Sequence, residues 1–488
     1  MRFSELLDQA GLGAARAGGA VDVRRVVIDS RRVQRGDCFV AVRGTAADGH
    51  RYIGPAVSAG CSAVVCEDAS AVPEGLGCAV VPDTRLAAGL LAQAIRGWPA
   101  RRLRVAGVTG TNGKTTFAYL LRHILQSRGA RVALLGTINY ELPDAQPVPA
   151  PNTTPGPIQL AEMMDQAVAA GATDLVMEVS SHALHQQRVA GIEFAAAAFT
   201  NLTGDHLDYH GTMQRYFEAK RRLFESLSPR AAAVLNRDDR WSEPLAAATR
   251  ARVVWYGLSP AAEVWAQIER IEADGTEFVL RHGPDSARVH TRLIGRHNVY
   301  NCLTAAASAL ALGVGLDDLA AALGSFAQVP GRLQRVPVEA PFTVLVDYAH
   351  TDDAMENVLR ALAPIKQGRL ILVFGCGGDR DRTKRPRMAR VAEHLADRII
   401  VTSDNPRTEG PRAIISEIVA GFSPEGRGKL HVEPDRRAAI ALAIAEAGEG
   451  DVVLLAGKGH ENYQILGTTK IHFDDVEIAA EFMNQRTK

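Results

Sequence analysis

The chain has 488 residues, 47% of them hydrophobic and 23% charged, an ordinary globular composition in a chain too long for one core. Its 55 Lys and Arg balance 55 Asp and Glu, so bulk charge gives no support for binding nucleic acid or an anionic membrane surface. The six cysteines show no C-x-x-C pair and no zinc-ligand spacing, which reads as reduced thiols. No run approaches the ~18 apolar residues a membrane span needs. The first residues lack the charged start and apolar core of a signal peptide, so a cytoplasmic protein is expected.

Three domains are expected. Residues 1–98 alternate short apolar runs with turns ("VRRVVIDSRRV", "GDCFVAVRG", "CSAVVCED", "GCAVVPD"), the pattern of a small α/β unit. "RGWPARRLRV", with Pro99 among charges, reads as a linker. Residues 99–330 open with the strand "RVAGVTG" and a helix carrying Leu120, Leu121, Ile124 and Leu125 at helical spacing, stopping near Gly129. "RVALLGT", "DLVMEVSS", "FAAAAFTNL" and "AAAVLN" follow as strands alternating with helices, which predicts a doubly wound parallel sheet. From Ala251 onward "ARVVWYG", "EFVLRH" and "VHTRLIG" are expected to form an antiparallel extension, closed by an alanine-rich helix from about Asn298 to Leu312. Residues 331–488 repeat the alternation in "FTVLVDYAH", "RLILVFGCGGDRD", "RIIVTSDNPR" and "DVVLLAGKGHE", a Rossmann-like pattern.

The chemistry concentrates in a few stretches. Gly110-Thr111-Asn112-Gly113-Lys114-Thr115-Thr116 lies between a strand and a helix, but the first glycine of the usual G-x-x-x-x-G-K-[ST] spacing is replaced by Val108. Backbone N–H groups of such a loop hold phosphate oxygens, a lysine reaches the terminal phosphates and a threonine can ligate Mg²⁺. Glu178 and Ser180 end an apolar strand, where open α/β sheets place ligand groups. "TNLTGDHLDYHG" adds Asp205, His206, Asp208 and His210 after the next strand, and together these favour a metal–ATP site. "YFEAKRRLF" places Lys220 beside Arg221 and Arg222, which by spacing alone is a solvated basic helix face.

GTNGKTT, EVSSHAL, TNLTGDHLDYHGT and YFEAKRRLF resemble the Mur ligase family, ATP-dependent enzymes that extend the peptidoglycan precursor by one amino acid at a time. The resemblance extends over nearly the whole chain, through "DSRRVQRGDCFVAVRG", "GRHNVYNCLTAAA", "DYAHTDDAMENVL", "GCGGDRDRTKRP", "SDNPRTE" and "AGKGHENYQ". It implies that Thr115, Glu178 and His206 lie around Mg²⁺ and ATP, and that Lys220 is carbamylated by CO₂ to become an anionic metal ligand. It places Asn298, Asp347 and His350 near the nucleotide. It assigns Ile28, Ser30 and Thr45, Ala46 and Ala47 to a uridine diphosphate pocket. Asn152, Thr153, Thr154, Ser180, Gln186 and Arg188 would contact the remainder of that substrate.

"DNPR", Asp404-Asn405-Pro406-Arg407, is the form found in members that add meso-diaminopimelate, with Arg380, Gly457 and Glu461 around the incoming amino acid. A guanidinium binds a carboxylate bidentately, and the far carboxylate is what separates diaminopimelate from lysine. The implied domains are 1–98 for UDP, 99–330 for ATP and 331–488 for the amino acid, in a monomer whose other partner is UDP-N-acetylmuramoyl-L-alanyl-D-glutamate. A lysine-adding or folylpolyglutamate-type ligase is the alternative within the class, disfavoured by "DNPR" and the early UDP-type segment. A dinucleotide oxidoreductase lacks its full glycine fingerprint in "LILVFGCGGDRD", and a GTPase switch lacks a guanine-reading segment.

Overall fold

The structure is a computed structural model that describes residues 1–44 and 47–486. Thr45 and Ala46 therefore lie outside the described residues. The chain forms two compact units, one of residues 1–256 with 304–314 and the other of residues 257–303 with 315–488.

The first unit holds two sheets. Val26–Val27, Cys38–Val40, Ala63–Cys66 and Gly77–Val80 form a parallel sheet in that order. It is packed on the helix Thr84–Ala94, whose Ala87, Ala88, Leu91 and Ala94 are buried and whose N-terminus is capped by the Asp83 carboxylate. The larger sheet runs Arg252–Gly257, Ala232–Asn236, Phe194–Phe199, Arg104–Thr109, Asp174–Glu178 and Val132–Leu135, all parallel, then the antiparallel Asn139–Glu141 and Val148–Pro149. The central strands are buried on both faces, which is why they read as unbroken apolar runs.

Two expectations are corrected here. Arg252–Gly257 pairs in parallel with Ala232–Asn236 and belongs to the main sheet, so "ARVVWYG" is not part of an antiparallel extension. Short apolar strands carry no directional signal of their own; direction follows from the connection, here the helix Ser242–Ala248. The stretch around Pro99 is a packed corner rather than an open linker. Trp98 sits in the left-handed region and Pro99–Arg102 is a short 3₁₀ turn with Pro99 and Ala100 buried.

In the second unit Val264–Glu272, Gly275–His282 and Asp285–Thr291 form the antiparallel meander, its first strand unmarked in the sequence reading. A six-stranded sheet follows in the order Gln334–Arg335, Thr343–Asp347, Val452–Ala456, Leu370–Phe374, Arg398–Val401 and Leu430–Val432, parallel except for the first. Loops at the carboxyl ends of these strands bear Tyr348–His350, Cys376–Arg380, Thr402–Arg407 and Gly457–Glu461.

A fully buried ion pair ties this sheet to its helices. Arg436 donates from Nε to Asp475 at 2.8 Å and from a terminal nitrogen at 2.6 Å, and also to the Ala456 carbonyl at 3.1 Å; both side chains are 0% exposed. Removing one partner strands a buried charge, which costs far more than the pair contributes. Asp475→Ala is therefore expected to destabilise this unit by about 3–5 kcal/mol, read by chemical denaturation, while Arg436→Met/Asp475→Leu loses much less. Equal losses would show that packing, not the stranded charge, sets the cost.

Candidate active site

The loop after strand Arg104–Thr109 is shaped by glycine. Gly110 has φ +149°, and a Cβ there would lie 1.9 Å from Thr200 Oγ1; Gly113 has φ +89° and precedes the helix Lys114–Ser127. The loop is held by the end of the neighbouring strand. Asn201 accepts from the Asn112 N–H at 3.0 Å and donates to its carbonyl at 3.2 Å, Thr200 Oγ1 donates to the same carbonyl at 2.6 Å, and Thr111 N–H donates to the Asn201 carbonyl. Lys114 Nζ donates to the Gly110 and Thr111 carbonyls at 2.9 and 2.8 Å. Thr115 and Thr116, in the first helical turn, are buried.

Lys220 reaches the same carbonyl. Its Nζ lies 2.8 Å from the Gly110 oxygen and 4.3 Å from the centre of the Tyr216 ring, and the residue is 1% exposed. Arg221 and Arg222 on the same helix, Met213–Glu225, are exposed, so the basic face inferred from spacing excludes Lys220. Burial, followed by the nearby Lys114 cation, pushes the Lys220 amine well below its ordinary value.

Glu178, 1% exposed, ends the strand beside the loop strand. Its carboxylate accepts from Thr137 twice, from the N–H at 2.9 Å and the hydroxyl at 3.0 Å. The approach needs Gly136, whose Cβ would fall 2.6 Å from Glu178 Oε1. Thr137 Oγ1 is also 3.1 Å from Thr153 Oγ1. Because the Thr137 proton goes to the carboxylate, Thr153 is the donor in that pair.

Thr154 donates to the Glu178 carbonyl at 2.8 Å and accepts from the Ser180 N–H at 3.0 Å. Arg188 donates to the Thr154 carbonyl at 2.9 Å and, with two nitrogens, to Gln186 Oε1. The Asn152 carbonyl accepts from Tyr140 OH. Asn152, Thr153, Thr154, Glu178, Ser180, Gln186 and Arg188 thus form one connected patch. Thr137, Thr200, Asn201 and Tyr209 join these networks and were missed by sequence reasoning. Thr200 and Asn201 could have been found, since they open the same "TNLTGDH" segment whose acids and histidines were singled out.

His206 has φ +53° and begins a short helical turn, its ring 4.8 Å from that of His182, which also packs on Tyr209 and His210. Thr115 and Glu178 offer oxygen donors, the kind that suits Mg²⁺ rather than a soft metal. Among the described residues no group of three or more His, Cys, Asp or Glu is placed to hold a metal. A cavity of about 460 Å³ is lined by Arg24, Ile28, Asp29, Gly156, Gln159 and Glu162 among others; Ile28 lines it, while Ser30 and Ala47 do not.

In the second unit Asn298 is buried, donating to the Ile294 carbonyl at 2.9 Å and accepting from Asn301. The Asp347 carboxylate accepts from the Leu333 and Ala349 N–H groups at 2.7 and 2.8 Å, and burial raises its pKa above the ordinary carboxylate range. His350 is exposed; its ring contacts the Tyr348 carbonyl.

Around Arg407 the fit is close. Asn405 donates to Glu461 at 2.7 Å and accepts from Ile465 N–H. A Cβ at Gly457 would come within 2.7 Å of Asp404 Oδ2. Burial, then the neighbouring Asp404 charge, raises the Glu461 pKa. Arg407, φ +51°, donates from one guanidinium nitrogen to the Gly378 carbonyl at 2.8 Å. Arg380 is exposed and donates to the Asp379 carbonyl.

A glycine loop between a parallel strand and a helix, ringed by strand-end polar groups, defines a phosphate-loop α/β protein. Three family models match: the Mur ligase family catalytic domain over residues 22–96, the Mur ligase middle domain over 108–309, and the Mur ligase glutamate ligase domain over 331–459. A UDP-N-acetylmuramoyl-L-alanyl-D-glutamate--2,6-diaminopimelate ligase from Geobacter metallireducens is 48% identical over 501 residues, covering 98% of each chain. One of the same name from Gloeobacter violaceus is 46% identical, covering 100% of this chain and 99% of that one. A solved structure of a ligase with that name superposes with a TM-score of 0.74 at 32% identity, covering 100% of both chains. The chain belongs to the Mur ligase family.

The histidine cluster gives a pH expectation. Burial, helped by the mutual repulsion of the rings, lowers the pKa of His182 and His210 from 6.5 to about 4. Between those values the unfolded chain binds more protons than the folded one, so stability rises with pH across this window. Thermal melts should show stability falling as pH drops from about 6.5 toward about 4, with a shallower fall in His182→Gln. The same slope in both proteins would contradict this assignment.

Proposed function

We propose that this chain is an ATP-dependent ligase that joins meso-diaminopimelate to the γ-carboxylate of D-glutamate in UDP-N-acetylmuramoyl-L-alanyl-D-glutamate, acting as a cytoplasmic monomer. Residues 1–98 take the UDP end, 99–330 the ATP and 331–488 the amino acid. Family membership and the names of the relatives support the reaction class. The observation that carries the substrate choice is the placement of the Arg407 charge close enough to Glu461 to act on its carboxyl, with the Asp404 charge beside it. A guanidinium suits a carboxylate and the two acids suit an ammonium, and the far end of diaminopimelate carries both charges.

The γ-carboxylate attacks the γ-phosphorus of ATP, giving an acyl phosphate and ADP. The diaminopimelate amine attacks the acyl carbon, and the tetrahedral intermediate expels phosphate and loses a proton to leave an amide. Lys114 gives up its loop carbonyls to the transferred phosphate, and the loop N–H groups hold the remaining oxygens. Thr115, Glu178, His206 and Lys220 as its carbamate would hold Mg²⁺, which when bound neutralises phosphate charge. A depressed lysine pKa supports the carbamate, because only the neutral amine adds CO₂. Asn298, Asp347 and His350 complete the nucleotide set in this reading.

Phosphate release with ATP and the UDP-dipeptide tests it. Release should require diaminopimelate, be poor with L-lysine and be absent without an amine. In Arg407→Ala, diaminopimelate loses its partner for the far carboxylate, which costs about 2–5 kcal/mol, or about 30-fold or more in KM. Lysine use should change little, so the preference shrinks. An unchanged diaminopimelate-to-lysine ratio in the variant, or release without an amine, would overturn the assignment.

A further inference from the structure

The loop after strand Leu370–Phe374 contains Gly375, Gly377 and Gly378, and the three are not equivalent. A Cβ on Gly375 would lie 2.4 Å from the Thr402 carbonyl, and one on Gly378 would lie 1.9 Å from the Pro406 carbonyl. Both meet backbone, so these two glycines serve the close approach of two loops. A Cβ on Gly377 meets something else: the Arg407 terminal nitrogen, at 2.9 Å, with its other neighbours at 3.9 Å. Gly377 is not in the left-handed region, so its backbone suits alanine as well as glycine.

What can give way at that contact is narrowly defined. The Arg407 backbone is fixed on both sides, its N–H donating to the Ile465 carbonyl at 3.1 Å and its carbonyl accepting from the Gly467 N–H at 2.9 Å. The facing loop is fixed as well. Gly378 N–H donates to the Asn405 carbonyl at 2.9 Å. The fully buried Arg385 donates to the Gly377 carbonyl at 3.3 Å and grips Glu409, which accepts the Asp379 N–H at 2.7 Å. Only the guanidinium of Arg407 is left to move, and moving it means leaving the Gly378 carbonyl.

We propose that Gly377 is a specificity-determining residue, whose missing side chain sets where the Arg407 guanidinium rests and so aims it at the second carboxylate of the incoming amino acid. This rests on the reading of Arg407 as the carboxylate partner. A methyl group at position 377 displaces the fork without removing its charge, and misplacing a binding group by an ångström costs up to about 100-fold.

The test compares Gly377→Ala, Arg407→Ala and the double variant by steady-state kinetics with meso-diaminopimelate, L-lysine and ATP, alongside thermal melts. Gly377→Ala should melt like the wild type, raise KM for diaminopimelate about tenfold or more, and leave KM for lysine and ATP unchanged. The double variant should be no worse than Arg407→Ala, since the two act through one contact. If Arg407→Ala lowers the diaminopimelate-to-lysine ratio and Gly377→Ala does not, the inference falls and the reading of Arg407 stands. If Arg407→Ala leaves the ratio unchanged, the underlying reading falls. A Gly377→Ala chain that fails to fold while the double variant folds would place the clash on Arg407 as inferred; failure of both would put it on backbone and overturn the inference.

Discussion

Two lysine nitrogens converge on one carbonyl oxygen. Lys114 and Lys220 lie 2.9 and 2.8 Å from the Gly110 oxygen, and Lys220 is buried. Two ammonium groups on one acceptor in a dry site repel strongly, which favours the uncharged form of one of them. Lys220 is the deeper of the two, and burial with the Lys114 charge beside it pushes its amine well below the ordinary lysine value. In the proposed function Lys114 would stay a cation to meet phosphate, and Lys220, as a neutral amine, would be open to CO₂. A carbamate there would invert the local charge and place an anion, in place of a second cation, beside Lys114.

The rest of the first unit is arranged to keep that carbonyl where it is. Thr200 and Asn201 fasten the loop from one side, and Gly110 is required because Thr200 occupies the space of any side chain. Thr137 fastens Glu178 from the other side and carries a hydrogen bond on to Thr153. A carboxylate accepts but cannot donate, so the order Thr153 to Thr137 to Glu178 is fixed. In the second unit buried arginines do the comparable work. Arg385 holds the glycine loop facing Arg407, and Arg436 holds the sheet beneath it.

Much of this was legible in the sequence, and the gaps have physical causes. Unbroken apolar strands alternating with amphipathic helices gave the parallel sheets, and motif residues at positions 152–154, 178, 180, 186 and 188 do lie together. The direction of Arg252–Gly257 was misread because a lone strand carries no sign of its partner's direction. Spacing put Lys220 on a solvated face; its burial depends on Tyr216 and the loop, which are remote in sequence or hidden by helical phase. Thr137 left no mark, since a threonine after a glycine is ordinary until a carboxylate is found beside it. Family resemblance singled out Arg407 but could not reveal Gly377, whose importance is an empty space.

The division of labour between the two lysines is tested most directly by NMR of the Mg²⁺-loaded enzyme kept in ¹³C-labelled bicarbonate. One carbamate carbon signal should appear, vanish in Lys220→Arg and persist in Lys114→Ala, with activity lost in both variants. A fully active enzyme without that signal, or a signal that survives Lys220→Arg, would contradict the account.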